Sequence, residues 1–62
     1  MTFTEAYAAL LTGKPIRRRN WVIGGMLIRE GHDIFAVVGN DYVRVHDVTR
    51  YGIHHTDWEV IE

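Results

Sequence analysis

Phe3, Ala6, Tyr7 and Leu10 recur at i, i+3, i+4 and i+7, the apolar stripe of an amphipathic helix. Thr2 precedes the stripe as an N-cap, and Glu5 three residues later completes a capping box. Gly13 supplies a left-handed stop and Pro15 prevents continuation, so a helix is predicted over residues 3–12. After Gly13 the pattern is that of strands. Val22-Ile23 and Met26–Arg29 flank Gly24-Gly25, which marks a turn, a bulge or a close backbone approach. Glu30–Asp33 reads as a polar turn before the apolar run Ile34–Val38, and Gly39-Asn40-Asp41 as a hairpin signal before Tyr42–His46. In that last segment alternation turns Val43 and Val45 toward the core and Tyr42, Arg44 and His46 to the other face. Residues 57–61 form the final predicted strand, with Trp58 and Val60 inward. The fold class expected is α+β: one N-terminal helix packed on an antiparallel sheet of four or five strands, in a single domain over residues 1–62.

Size sharpens that expectation. A 62-residue chain buries only about 60% of the surface its unfolded form exposes, and domains this small commonly add disulfides, a metal or a partner. There is no cysteine, which leaves an efficient core, a metal or oligomerisation. The hydrophobic fraction of 47% is that of a folded domain, not a disordered one. No apolar stretch is long enough to span a bilayer, and no basic region precedes an apolar segment at the N-terminus, so the cytoplasm is the expected compartment.

Net charge is −1, which argues against a general nucleic-acid binder, yet residues 14–19 hold four of the seven Lys and Arg. With Trp21 the run Arg17-Arg18-Arg19 suits an anionic, ring-bearing ligand, because guanidinium forks bind phosphate and an indole face stacks on a base. An extended chain sends Arg17 and Arg19 one way and Arg18 the other, so the three cannot serve one pocket. The competing reading is a solvated, charged edge strand with Trp21 in the core. Tyr42 and Tyr51 are further stacking candidates, Arg44 a further cation, and Asp57 either pairs with an arginine of the run or hydrogen-bonds a ribose hydroxyl.

His32, His46, His54 and His55 show no metal-ligand spacing, so neither a metal nor another cofactor is expected. No nucleophile elbow, phosphate-binding glycine loop or Cys/His pair is present, and a non-enzymatic protein is expected. A ligand pocket of about 300 Å³ or more is hard to hollow out of so small a core, which favours a pocket between subunits.

The opening Phe3–Leu11, Gly13-Lys14, Ile16-Arg17-Arg18, Trp21 and Met26-Leu27, with the closing Thr56-Asp57-Trp58-Glu59-Val60, resembles the small phage proteins of the Thoeris anti-defence 2 type. The resemblance covers the first thirty residues and the last six or so. It implies a non-enzymatic sponge in the infected bacterial cytoplasm, assembled as a homo-oligomer (dimer or tetramer) with interface pockets. The implied ligand is a nucleotide-derived immune messenger, a cyclic ADP-ribose isomer or a cyclic dinucleotide, held without cleavage. Residue by residue it touches Arg18 and Trp21 as pocket candidates, Trp58 as structural, and Asp57. The alternative expectation is a small interaction module that inhibits a host protein through the basic strand.

Overall fold

A computed structural model describes residues 1–21 and 24–61; the expected segment Val22-Ile23 and the acid Glu62 lie outside the described residues. One helix, α1 (Phe3–Leu11), packs on a five-stranded antiparallel sheet of β1 (Ile16–Arg18), β2 (Met26–Glu30), β3 (Asp33–Val38), β4 (Asp41–Arg44) and β5 (Trp58–Val60). The α+β class is therefore as expected. The strand order is β4-β3-β2-β1-β5. β2, β3 and β4 form a meander of hairpins, while the last strand in sequence returns to pair with the first, Ile16 opposite Val60 and Arg18 opposite Trp58.

The helix begins where the capping box places it. The Glu5 N–H donates to the Thr2 hydroxyl at 3.2 Å, and the Thr2 N–H donates to Glu5 Oε1 at 2.9 Å. At the other end the Gly13 N–H donates to the Leu10 carbonyl at 2.9 Å, and the Arg29 guanidinium donates to the Leu11 carbonyl. These bonds satisfy carbonyls that a helix terminus leaves without intrahelical partners.

Ala6 and Leu10 are buried against Ile16, Leu27 and Trp58, and those five residues form the core. Trp58 continues into a chain of rings. Phe3 meets it edge-on at 5.0 Å and Trp21 at 5.3 Å; Tyr7 stacks on Phe3 at 5.4 Å, and Tyr51 meets Trp21 at 6.0 Å. Such edge-to-face pairs add attraction beyond their buried area.

Two expectations need correction. Val43 does not enter the core; it is 59% exposed. The helix packs on β1, β2 and β5, and β4 lies beyond its reach, so the inward face of β4 has nothing to bury against. Val45, past the end of β4, does pack on the core. The strand expected over Tyr42–His46 ends at Arg44, and a 3₁₀ helix over Val48–Tyr51 follows. Asp47 caps that turn by accepting from the Thr49 N–H at 3.0 Å.

Candidate functional site

The three arginines of the basic run divide as alternation predicts, and each meets an acid. Arg18 points to the helix side and grips Asp57 with two bonds, Nε to Oδ1 at 2.9 Å and Nη2 to Oδ2 at 3.3 Å. Those hydrogen bonds hold the Asp57 carboxyl below its ordinary value, against the opposing effect of burial. On the other face Glu59 stands between Arg17, whose Nε is 2.9 Å from Oε1, and Arg19, whose Nε is 3.9 Å from Oε2. The Arg17 Nε lacks the alignment of a hydrogen bond despite that approach. Its Nη2 donates to the Arg19 carbonyl at 3.2 Å.

The loop before β5 closes over the Arg18–Asp57 pair. Gly52 turns left-handed at φ +84°, and its carbonyl accepts the Trp58 indole N–H at 3.2 Å. A Cβ at this position would stand 2.8 Å from His55 Cδ2 and 3.1 Å from Arg18 Nη1, so only glycine lets the loop descend this far. Trp21 is half-buried between Tyr51 and Trp58. Arg18, Trp21, Tyr51 and Asp57 are thus drawn to one corner, two as an ion pair and two as a ring pair.

An open cleft lies elsewhere, at the end of the sheet where β3 begins and β4 finishes. It encloses about 380 Å³ among Tyr7 of the helix, His32 and Asp33 at the β2–β3 turn, and Arg44, His46 and Asp47. Arg44 Nη2 is 2.8 Å from Asp33 Oδ1, and both side chains remain largely solvent-accessible. A smaller cavity of about 140 Å³ shares the Arg44–Asp47 wall and is closed by Arg50 and Tyr51. Among the expected residues, Arg44 lines both cavities and Tyr51 the smaller one, while Tyr42 stands apart, 60% exposed on the sheet edge.

Chemically the cleft offers a guanidinium, two imidazoles, two carboxylates and a phenol ring within one concave surface. A guanidinium and imidazole N–H groups suit phosphate oxygens, carboxylates accept from ribose hydroxyls, and a ring offers a face to a base. His32, Asp33, Asp47, Arg50 and Tyr7 were not singled out by sequence. They come from three separate elements, and only the hairpin register brings Asp33 to Arg44. His46 carried a signal, since alternation set it on the Arg44 face. Among the described residues no group of three or more His, Asp or Glu side chains is arranged to hold a metal ion. No helix there is long and apolar enough to cross a membrane.

No family model, curated protein or solved structure matches this chain.

Proposed function

We propose that this chain is a non-catalytic binding protein that sequesters a nucleotide-derived messenger, as a homo-oligomeric anti-defence sponge of a phage acting in the host cytoplasm. The observation that carries the reading is the cleft of about 380 Å³ lined by Arg44, His32, His46, Asp33 and Asp47. Its volume falls in the range of small-molecule sites, about 300–1,000 Å³. The choice of messenger, a cyclic ADP-ribose isomer or a cyclic dinucleotide, rests on the resemblance of the two chain ends to the sponge family.

Sequestration asks little of the protein beyond affinity. Arg44 exchanges its contact with Asp33 for a phosphate oxygen, at low cost because both side chains already face water. Asp33 is then released to accept from a ribose hydroxyl. His46 and His32 add N–H donors, and Tyr7 contributes its ring. The corner of Arg18 and Trp21 adjoins the smaller neighbouring cavity through the contact of Trp21 with Tyr51.

The test is calorimetric titration of purified protein with cyclic ADP-ribose isomers and cyclic dinucleotides, followed by heat denaturation and recovery of the ligand. Saturable binding with return of intact ligand is expected. Arg44→Ala should weaken binding about 10- to 100-fold, the range for losing a hydrogen bond to a charged group. Absence of binding to every messenger tested would transfer the reading to an interaction module. Recovery of a cleaved ligand would make the protein an enzyme.

A further inference from the structure

We infer that the free edge of β4 is an interface between two copies of this chain, joining their sheets into one. The inference gives the proposed homo-oligomer a surface and a register, and it is independent of the ligand assigned to the cleft.

The two edges of the sheet are treated differently. At β5 the edge is occupied: the Met1 amine donates to the carbonyls of Thr56 at 3.0 Å and Trp58 at 3.1 Å, and the Trp58 N–H donates to the Met1 carbonyl at 3.2 Å. At β4, among the described residues, nothing covers the edge. The Val45 N–H donates to the Ile34 carbonyl at 2.8 Å, which fixes which β4 residues bond inward. By alternation Val43 and Asp41 also bond to β3, through Ala36 and Val38. Tyr42 and Arg44 then direct both their N–H and C=O groups away from the sheet.

Exposed apolar surface gathers at the same place. Among the described residues, Tyr42 (60% exposed) and Val43 (59%) lie on this edge strand, and Val38 (54%) stands beside them at the end of β3. The strand Asp41-Tyr42-Val43-Arg44 is short and has a charge at each end, but its centre, Tyr42-Val43, is apolar and carries no proline or lysine to block pairing.

A second copy fits in one register. With Val43 opposite Val43 of the partner, Tyr42 stands opposite Arg44 of the partner, and both pairs bond through all four outward peptide groups of each strand. The same register sets the side chain of Tyr42 beside the stem of the partner's Arg44 on one face, as directly opposed residues of an antiparallel pair. Centring on Tyr42 leaves the Arg44 groups to a turn residue, and centring on Arg44 sets two guanidinium groups against each other. A β4–β4 pair uses the same edge of each copy and so closes at two-fold symmetry, and Met1 occupies the outward peptide groups of Trp58 at the opposite edge, which opposes extension into a fibre.

The experiment is sedimentation of the ligand-free chain, with amide hydrogen exchange. The unaltered protein is expected at twice the 7.2 kDa chain mass or an even multiple of it. The Tyr42 and Arg44 amides should be protected in the assembly. Val43→Lys, which sets two like charges at the symmetry axis, should give monomers at concentrations where the unaltered chain is paired. Val43→Glu alone should do the same, and mixing the two variants should restore pairing. A monomer at all concentrations overturns the inference, as does an assembly that both variants leave intact. Should the variants fail to fold, exchange on the unaltered chain decides: an oligomer with unprotected Tyr42 and Arg44 amides overturns it. None of these readings involves a messenger, so failure here is separable from failure of the cleft to bind.

Discussion

Trp58 is the largest fully buried side chain among the described residues, and the rings of Phe3 and Trp21 converge on it from the first third of the sequence. Replacing it with alanine is expected to cost about 3–5 kcal/mol, the usual range for a large aromatic removed from a core. A domain of this length has a total stability of only about 3–9 kcal/mol, so Trp58→Ala should lose about a third of it or more, read as a lowered urea or thermal midpoint. A second residue-scale expectation concerns acid. The folded state holds Asp57 below its ordinary 3.8, so it binds fewer protons than the unfolded chain near that pH. The stabilisation is complete above 3.8 and fades as pH falls through the lower folded value. Arg18→Met should therefore flatten the loss of stability between neutral pH and about pH 2, read from urea midpoints. Glu5 and Asp47 are also lowered, by their bonds to Thr2 and Thr49, so the slope should shrink without vanishing. Parallel pH profiles for the two proteins would show that the pair contributes nothing to this linkage. That Asp57 meets an arginine was one of two readings open in the sequence. The choice was not legible there, because it depends on β5 returning beside β1 in a register that sets Arg18 against Trp58.

Among the elements, α1 was the most legible because its start, stripe and stop are all local signals. The structure ends it at Leu11, one residue before the expected boundary. Thr2→Ala removes the side chain that accepts the Glu5 N–H and should cost about 1 kcal/mol in thermal or urea unfolding, while Thr2→Ser should be nearly neutral. Strands were legible to the extent that burial alternates along them. β5 satisfied this, with Trp58 buried between flanking acids. β4 did not. Its period was read correctly but its core face was not, since period 2 reports which residues share a face and not whether anything lies over it. The 3₁₀ helix over Val48–Tyr51 was missed because one turn has no periodicity to detect, although the Asp47–Thr49 cap was present in the sequence.

At the scale of the whole molecule, the basic run has a different meaning from the one its composition suggests. Four cations close together look like a site for an anion, but the fold sets Asp57 and Glu59 of β5 beside Arg17, Arg18 and Arg19, so much of that charge is answered within the chain. The cleft instead uses Arg44 and residues from the middle of the sequence. These were hard to read because a polar side chain in a turn carries no pattern until topology brings turns together. Small size links the two proposals. A domain with so small a core and one uncovered strand edge gains burial by pairing, and Arg44 stands at both places, its peptide groups on the β4 edge and its side chain beside the cleft.

The pairing of Ile16 with Leu27 on one side and Val60 on the other has a consequence for the order in which the chain acquires structure. β2, β3 and β4 close through neighbouring turns and need nothing from the rest of the sequence. The second half of the sheet cannot close until residues 57–61 are available, because β5 supplies Trp58 to the core, Asp57 to Arg18 and the seat for Met1. Long-range pairing of this kind is slow relative to hairpin closure. During refolding from denaturant, the meander that carries Arg44 and the open edge is thus free to form while the helix still waits for its aromatic anchor.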